Sequence, residues 1–196
     1  MTIKLLNILD NPLMLVIDMQ NICSRGQKWE CLNFDRAIDK IKRLLDQCPT
    51  HQIIFTRYIA SEDPFGIWKD YNRENSYINH DTWLNELVDD LKSIQNNYNY
   101  KCYDKSVYSS LSIKHLYEVA LKASCVIITG VVAECCVLST VMSLIDAGVY
   151  VIYLKDAVAG VNNDTEKATI TVLEGLSPLH LCLLNTDEYL NLIEKY

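Results

Sequence analysis

Six short segments of strand length punctuate the chain, at residues 13–17, 51–58, 101–103, 125–129, 149–154 and 179–184. Between them apolar residues recur at helical spacing. Phe34, Ile38, Ile41, Leu44 and Leu45 form one such face, and Trp83, Leu84, Leu87, Leu91 and Ile94 form another. Further helices are predicted over 111–121, from the residues after Glu134 to Asp146, over 165–176 and over 186–196. Candidate caps are Asn33 or Asp35, Asp81 or Thr82, and Asn163 or Asp164, with Glu166 placed for a capping box on Asn163. Runs such as LMLVI and CVIIT are apolar without alternation, which implies a parallel sheet buried on both faces. Strand–helix alternation with such runs predicts an α/β fold: a three-layer αβα arrangement around a doubly wound, mostly parallel six-stranded sheet. Neither internal repeat nor linker interrupts the pattern, so residues 1–196 are read as one domain.

One stretch lacks periodicity. Residues 59–82 are long for a plain connection, and they hold Phe65, Trp68, Tyr71 and Tyr77. So many aromatic rings imply an ordered loop that packs, as a wall of a pocket or as part of an interface between subunits. Trp68 and Tyr71 are the candidate wall residues.

Composition narrows the function classes. A net charge of −7 argues against a general nucleic-acid partner, which would need a basic face. No apolar run approaches the roughly 18–20 residues that span a bilayer. The N-terminal MTIKLLNILDNPLMLVID has one lysine, a polar break at Asn7, Asp10, Asn11 and Pro12, and no small-residue cleavage site, so no signal peptide is read. Eight cysteines are scattered through strand and helix patterns, and reduced thiols in the cytoplasm are expected.

Parallel sheets carry their chemistry at the carboxyl ends of the strands. Asp18 follows the first strand, with Gln20 and Asn21 just beyond it. Thr56 and Arg57 end the second, Lys105 the third, and Cys135 and Cys136 follow the fourth; Asp156 is expected to end the fifth. A thiol on a first helical turn feels the positive end of the helix dipole, which favours thiolate. Either cysteine could equally be a small core residue. Asp18, Lys105 and Cys136 make a complete chemical set: a base for the thiol proton, a cation for carboxylate and thiolate, and a nucleophile. Backbone amides between Gly130 and Cys136 are available to a developing oxyanion. That set describes acyl transfer through a thioester.

LVIDMQN (15–21), DKSVYSS (104–110), TGVVAECCVLSTVMSLIDAG (129–148) and VIYLKDA (151–157), in this order and spacing, resemble the isochorismatase-like cysteine hydrolases, which include nicotinamidases and N-carbamoyl amidases. The resemblance covers nearly the whole chain and implies a Rossmann-like sheet and hydrolysis of a C–N bond in a small amide or carbamoyl compound. It implies Asp18 as general base, Lys105 as orienting cation and Cys136, which directly precedes Val137, as nucleophile. It also implies a cis peptide at Val131–Val132, an oxyanion hole from the amides of Val132 and Cys136, and assembly into a homo-oligomer, a dimer or tetramer. Gln20, Arg57, Trp68, Tyr71 and Tyr108 are the expected substrate contacts, with Tyr108 close behind Lys105. Nicotinamidases carry a metal-binding Asp-x-His and a further His after the second strand. Here that region has only His80, and His51, His115 and His180 are dispersed, so neither metal nor other cofactor is expected.

Three rival readings stay open at this level. Vinyl-ether hydrolysis of an isochorismate-like substrate would need cations facing the pocket, with Arg57 and Arg73 the candidates. A binding or redox protein could use Cys135 and Cys136 as an oxidisable pair. A nucleotide-binding protein is disfavoured because no G-x-G-x-x-G follows the first strand.

Overall fold

The apolar runs fold as one parallel sheet. A computed structural model describes residues 9–194; Asn7 in the N-terminal polar break and the predicted helix end at Tyr196 lie outside the described residues. The strands are β1 (Pro12–Ile17), β2 (Gln52–Tyr58), β3 (Lys101–Lys105), β4 (Cys125–Val131), β5 (Val151–Ala159) and β6 (Leu181–Leu184). Their order is β3-β2-β1-β4-β5-β6, with every neighbouring pair parallel. The helices are α1 (Phe34–Gln47), α2 (Trp68–Glu74), α3 (Asp89–Asn97), α4 (Lys114–Ala120), α5 (Leu138–Asp146), α6 (Asn163–Glu174) and α7 (Thr186–Ile193).

Two cores separate by strand parity. Met14 and Val16 face a layer built on Phe34, Ile41 and Leu44 of α1, Leu91 of α3 and Tyr189 of α7. Leu13, Leu15 and Ile17 face Leu116 of α4, Val141 and Leu144 of α5 and Leu173 of α6. This is the expected αβα sandwich. Order reverses between β1 and β4, so the crevice beyond their carboxyl ends is the natural place for a site. Gly130 lets those two strands close. Its φ is +108°, and a Cβ there would stand 2.1 Å from the Ile17 carbonyl oxygen.

Several local expectations need correction. Residues 59–82 are not a loop throughout: α2 is followed by single helical turns at Ser76–Asn79 and Thr82–Asn85. The helix expected from Trp83 to Ile94 is broken at Glu86–Val88. There the backbone pairs with the segment after β1, through Asn21 N–H to the Glu86 carbonyl (2.9 Å) and Val88 N–H to the Met19 carbonyl (2.9 Å). Trp83, placed on the apolar face, is 53 % exposed. Asp81 does cap the Thr82 turn, accepting from the Leu84 amide at 3.0 Å. The cap of α6 is Asn162, whose Oδ1 accepts from Asp164 and Thr165, and Thr165 returns the bond. Glu166 is engaged elsewhere, by Arg36, Asn33 and the Gly160 amide. Asp156 does not end a strand, because β5 continues to Ala159. Its carboxylate accepts from Thr186 N–H and Oγ1 at the start of α7 and pairs with Lys40.

Candidate active site

The residue after β1 turns sharply. Asp18 has φ +52°, a conformation that short polar side chains tolerate, and its side chain is drawn into the switch-point crevice. One carboxylate oxygen accepts from Thr56 Oγ1 at 2.8 Å. The other meets the Lys105 ammonium at 2.6 Å. Lys105 ends β3 with its side chain fully buried, and Nζ also donates to the Val107 carbonyl at 3.1 Å and lies 3.3 Å from Cys136 Sγ. The structure therefore brings Asp18, Lys105 and Cys136 together around one ammonium.

After β4 the chain makes a cis peptide at Val131–Val132 and a wide, π-type turn over Ala133–Val137, from which α5 starts. The Val132 carbonyl accepts from the Cys135 and Val137 amides at 3.0 and 3.1 Å, which closes the turn. Both cysteines fall in this turn, which runs directly into α5 and forms the N-terminal turn of that helix. Burial, then the Asp18 carboxylate, raises the Cys136 pKa far above the ordinary thiol value, and Lys105 offsets only part of the rise. Burial also raises Cys135. Both shifts run against the thiolate that the helix dipole was expected to favour. Burial opposes the charge on Lys105, but Asp18 and Cys136 outweigh it and hold its pKa above the ordinary lysine value.

A cavity of about 190 Å³ opens over this group. Asp18, Val131, Val132, Cys135 and Cys136 form its floor, and Trp29, Tyr58, Tyr71 and Tyr108 its aromatic side. Of the expected substrate contacts, Tyr71 and Tyr108 line the cavity. Trp68 does not line the cavity: it packs behind, with its ring centroid 5.3 Å from Tyr71 and 5.0 Å from Tyr108. Gln20 lines it, yet its amide is spent, bonding the Tyr58 N–H and carbonyl at 2.8 and 3.0 Å and the Asn85 carbonyl at 2.7 Å. Arg57 points the other way, paired with Asp104 and Glu86. Arg73 is exposed and pairs with Asp70.

Several lining residues were missed, among them Tyr58, Trp29, Cys23, Lys28 and Glu30. Tyr58 shares the strand face of Thr56, two residues earlier, whereas Arg57 between them must face the opposite side; the period of two was the available signal. Trp29 and Cys23 lie in the segment after β1, which the switch-point topology carries across the crevice. Among the described residues no cluster of three or more His, Cys, Asp or Glu side chains could hold a metal ion. No described helix is long and apolar enough to cross a membrane.

A family model, the isochorismatase domain, matches residues 12–180. The fold is shared with a cysteine hydrolase from Pseudomonas syringae pv. phaseolicola 1448A, at TM-score 0.80 and 18 % identity, covering 96 % of this chain and 94 % of that one. It is shared also with a nicotinamidase/pyrazinamidase from Bacillus subtilis (TM-score 0.74, 16 % identity, 89 % and 100 % covered) and with N-carbamoylsarcosine amidase from Thermoplasma acidophilum (TM-score 0.70, 17 % identity, 91 % and 98 % covered). No curated protein sequence matches the chain.

Proposed function

The chain belongs to the isochorismatase family of hydrolases, and on that premise we propose that it cleaves the C–N bond of a small amide or carbamoyl compound through a thioester on Cys136. The observation that carries the reading is the buried Lys105 ammonium, 2.6 Å from Asp18 and 3.3 Å from Cys136 Sγ, beneath a cavity that both reacting groups line. In the first half-reaction the Asp18 carboxylate takes the thiol proton while Sγ attacks the carbonyl carbon. The amides of Val132 and Cys136 receive the oxyanion. The C–N bond then breaks, and Asp18 returns the proton to the leaving nitrogen. In the second half-reaction Asp18 takes a proton from water, which attacks the thioester, and the thiol is restored as the acid leaves.

The raised Cys136 pKa, set by burial and then Asp18, supports this division of labour, because it favours the protonated thiol from which Asp18 would take a proton. Lys105 stays charged throughout and holds the carboxylate and the developing thiolate on either side of itself. The vinyl-ether reading draws less support, since neither Arg57 nor Arg73 lines the cavity and Lys28 is its lining cation. The eight free thiols support a reducing compartment such as the cytoplasm. Exposed Phe65 and Ile67 support self-association into a dimer or larger assembly, which sedimentation would test.

The deciding experiment is a screen of small amides and carbamoyl compounds with ammonia release as readout, run beside Cys136→Ala. Turnover that disappears with Cys136 and survives prolonged chelation is expected. A hit that Cys136→Ala hydrolyses as fast as the parent would overturn the reading.

A further inference from the structure

The cysteine turn is held from behind by hydroxyls that lie outside the cavity. Thr140 stands one turn beyond Cys136 and is fully buried. Its Oγ1 donates to the Cys136 carbonyl at 2.7 Å and accepts from the Ser110 backbone amide at 2.9 Å. Ser110 is fully buried too, and its own Oγ lies 3.3 Å from the same oxygen. A second rung joins Ser109 Oγ to Ser143 Oγ at 2.9 Å. Neither Thr140 nor Ser110 lines the cavity.

A threonine bonding back to the carbonyl four residues earlier is common in helices, and that bond uses only its proton. The second use is the informative one. The same oxygen receives an N–H from a different element, the segment that begins at Lys105. One hydroxyl thereby ties the segment bearing the ammonium to the turn bearing the thiol. Loss of it would leave the buried Ser110 amide without that acceptor, a group that is costly to leave unpaired.

We infer that Thr140 is a positioning residue: through Ser110 it fixes the 105–110 segment against the cysteine turn and so sets the spacing between Lys105 Nζ and Cys136 Sγ. This rests on the reading of Cys136 as nucleophile and Lys105 as its cation. It adds a residue that touches neither substrate nor reacting atom.

The test compares Thr140→Val, which keeps shape and removes the hydroxyl, with Thr140→Ser, which keeps the hydroxyl, and with Thr140→Ala. Two readouts are needed: the rate of iodoacetamide labelling mapped to Cys136, and kcat and KM on the best amide from the screen. The valine and alanine variants should label Cys136 and turn over between about tenfold and a hundredfold more slowly, with KM held within about twofold, as expected for misplaced reacting groups. The serine variant should restore both. If valine at this position prevents folding, the alanine–serine comparison decides. Labelling and kcat in either hydroxyl-free variant equal to those of the serine variant would overturn the inference, as would a loss confined to KM. Full turnover by Cys136→Ala would instead remove the proposed function, while the labelling rates would still judge Thr140.

Discussion

Asp18 and Lys105 form an ion pair at 2.6 Å with side chains 5 % and 0 % exposed. A pair so buried is held less by its own attraction than by the cost of leaving either charge alone. Asp18→Asn and Lys105→Met should therefore each destabilise the fold by roughly 3–5 kcal/mol, and the double substitution by clearly less than the sum. Urea unfolding of the three variants measures this. Simple additivity would mean that the two groups do not depend on each other.

The two adjacent cysteines should behave differently. Cys136 is buried 3.3 Å from the ammonium, with its pKa raised by burial and then Asp18, whereas Cys135 is half-buried on the same cavity floor. Cys136→Ala should lower kcat by about three orders of magnitude or more, and Cys135→Ala by less than about tenfold. Because burial and then Asp18 raise the Cys136 pKa, its labelling should still climb above about pH 9, where an ordinary thiol levels off. A rise that tracks ordinary thiol ionisation would contradict the requirement for a base.

Much of this was legible before any coordinates. Fully buried parallel strands have to read as continuous apolar runs, so β1, β4 and β5 declared themselves; strand-end placement then offered Asp18, Lys105 and the two cysteines among others, and the family resemblance chose Cys136 over Cys135. What was hidden depended on partners distant in the chain. Glu86–Val88 leave the helix because the backbone after Asp18 offers them partners, which local periodicity does not encode. The choice of Asn162 over Asn163 as cap turns on Glu166 being engaged by Arg36 and Asn33, over a hundred residues away. Arg57 drew notice as a charge, yet strand alternation puts Tyr58 on the cavity side and leaves the guanidinium to Asp104. The raised thiol pKa could not be read either, since burial dominates it.

Gly130 is where the site depends on an absent side chain. Gly26 also has a positive φ, +82°, but nothing lies within 4 Å of a Cβ built there, whereas at Gly130 it would overlap Ile17 backbone. Gly26→Ala should cost only conformational strain, about 1–2 kcal/mol. Gly130→Ala should cost about 4 kcal/mol or more and abolish activity, because β1 and β4 would have to part beside Asp18. Thermal unfolding of both variants is the check, and equal losses would refute the role given to the close approach.

Alkaline stability follows from the unpaired thiols. Burial raises Cys48 and Cys102 to about 11 and Cys125 to about 12. A group whose folded pKa is raised contributes stability that is fully present below its unfolded value and is lost as pH rises through the folded one. Here the unfolded chain releases these protons first, near pH 8.5–9. The denaturant midpoint should accordingly hold steady up to about pH 8 and fall from about pH 9 to 11. A chain carrying Cys48→Ala and Cys125→Ala should show a shallower fall, and an unchanged slope would assign the loss to other groups.

The aromatic side of the cavity separates contact from support. Trp29 lines the cavity with its ring edge-on to Tyr58, centroids 6.0 Å apart, and 6.2 Å from Tyr71. Trp68 touches Tyr71 and Tyr108 from behind and does not line this cavity. A lining ring contributes its own face to a bound amide, so its removal weakens binding directly. A supporting ring acts only through the tyrosines it braces, each such ring pair contributing about 0.5–1.5 kcal/mol. Trp29→Ala should therefore raise KM by about tenfold or more, with Trp29→Phe recovering most of the loss. Trp68→Ala should raise KM by no more than about fivefold, since Tyr71 and Tyr108 keep other neighbours in Tyr58 and each other. Steady-state kinetics on the best amide decides the matter: a larger effect from Trp68→Ala than from Trp29→Ala would mean that the wall is set by the 68–74 helix and not by the segment after β1.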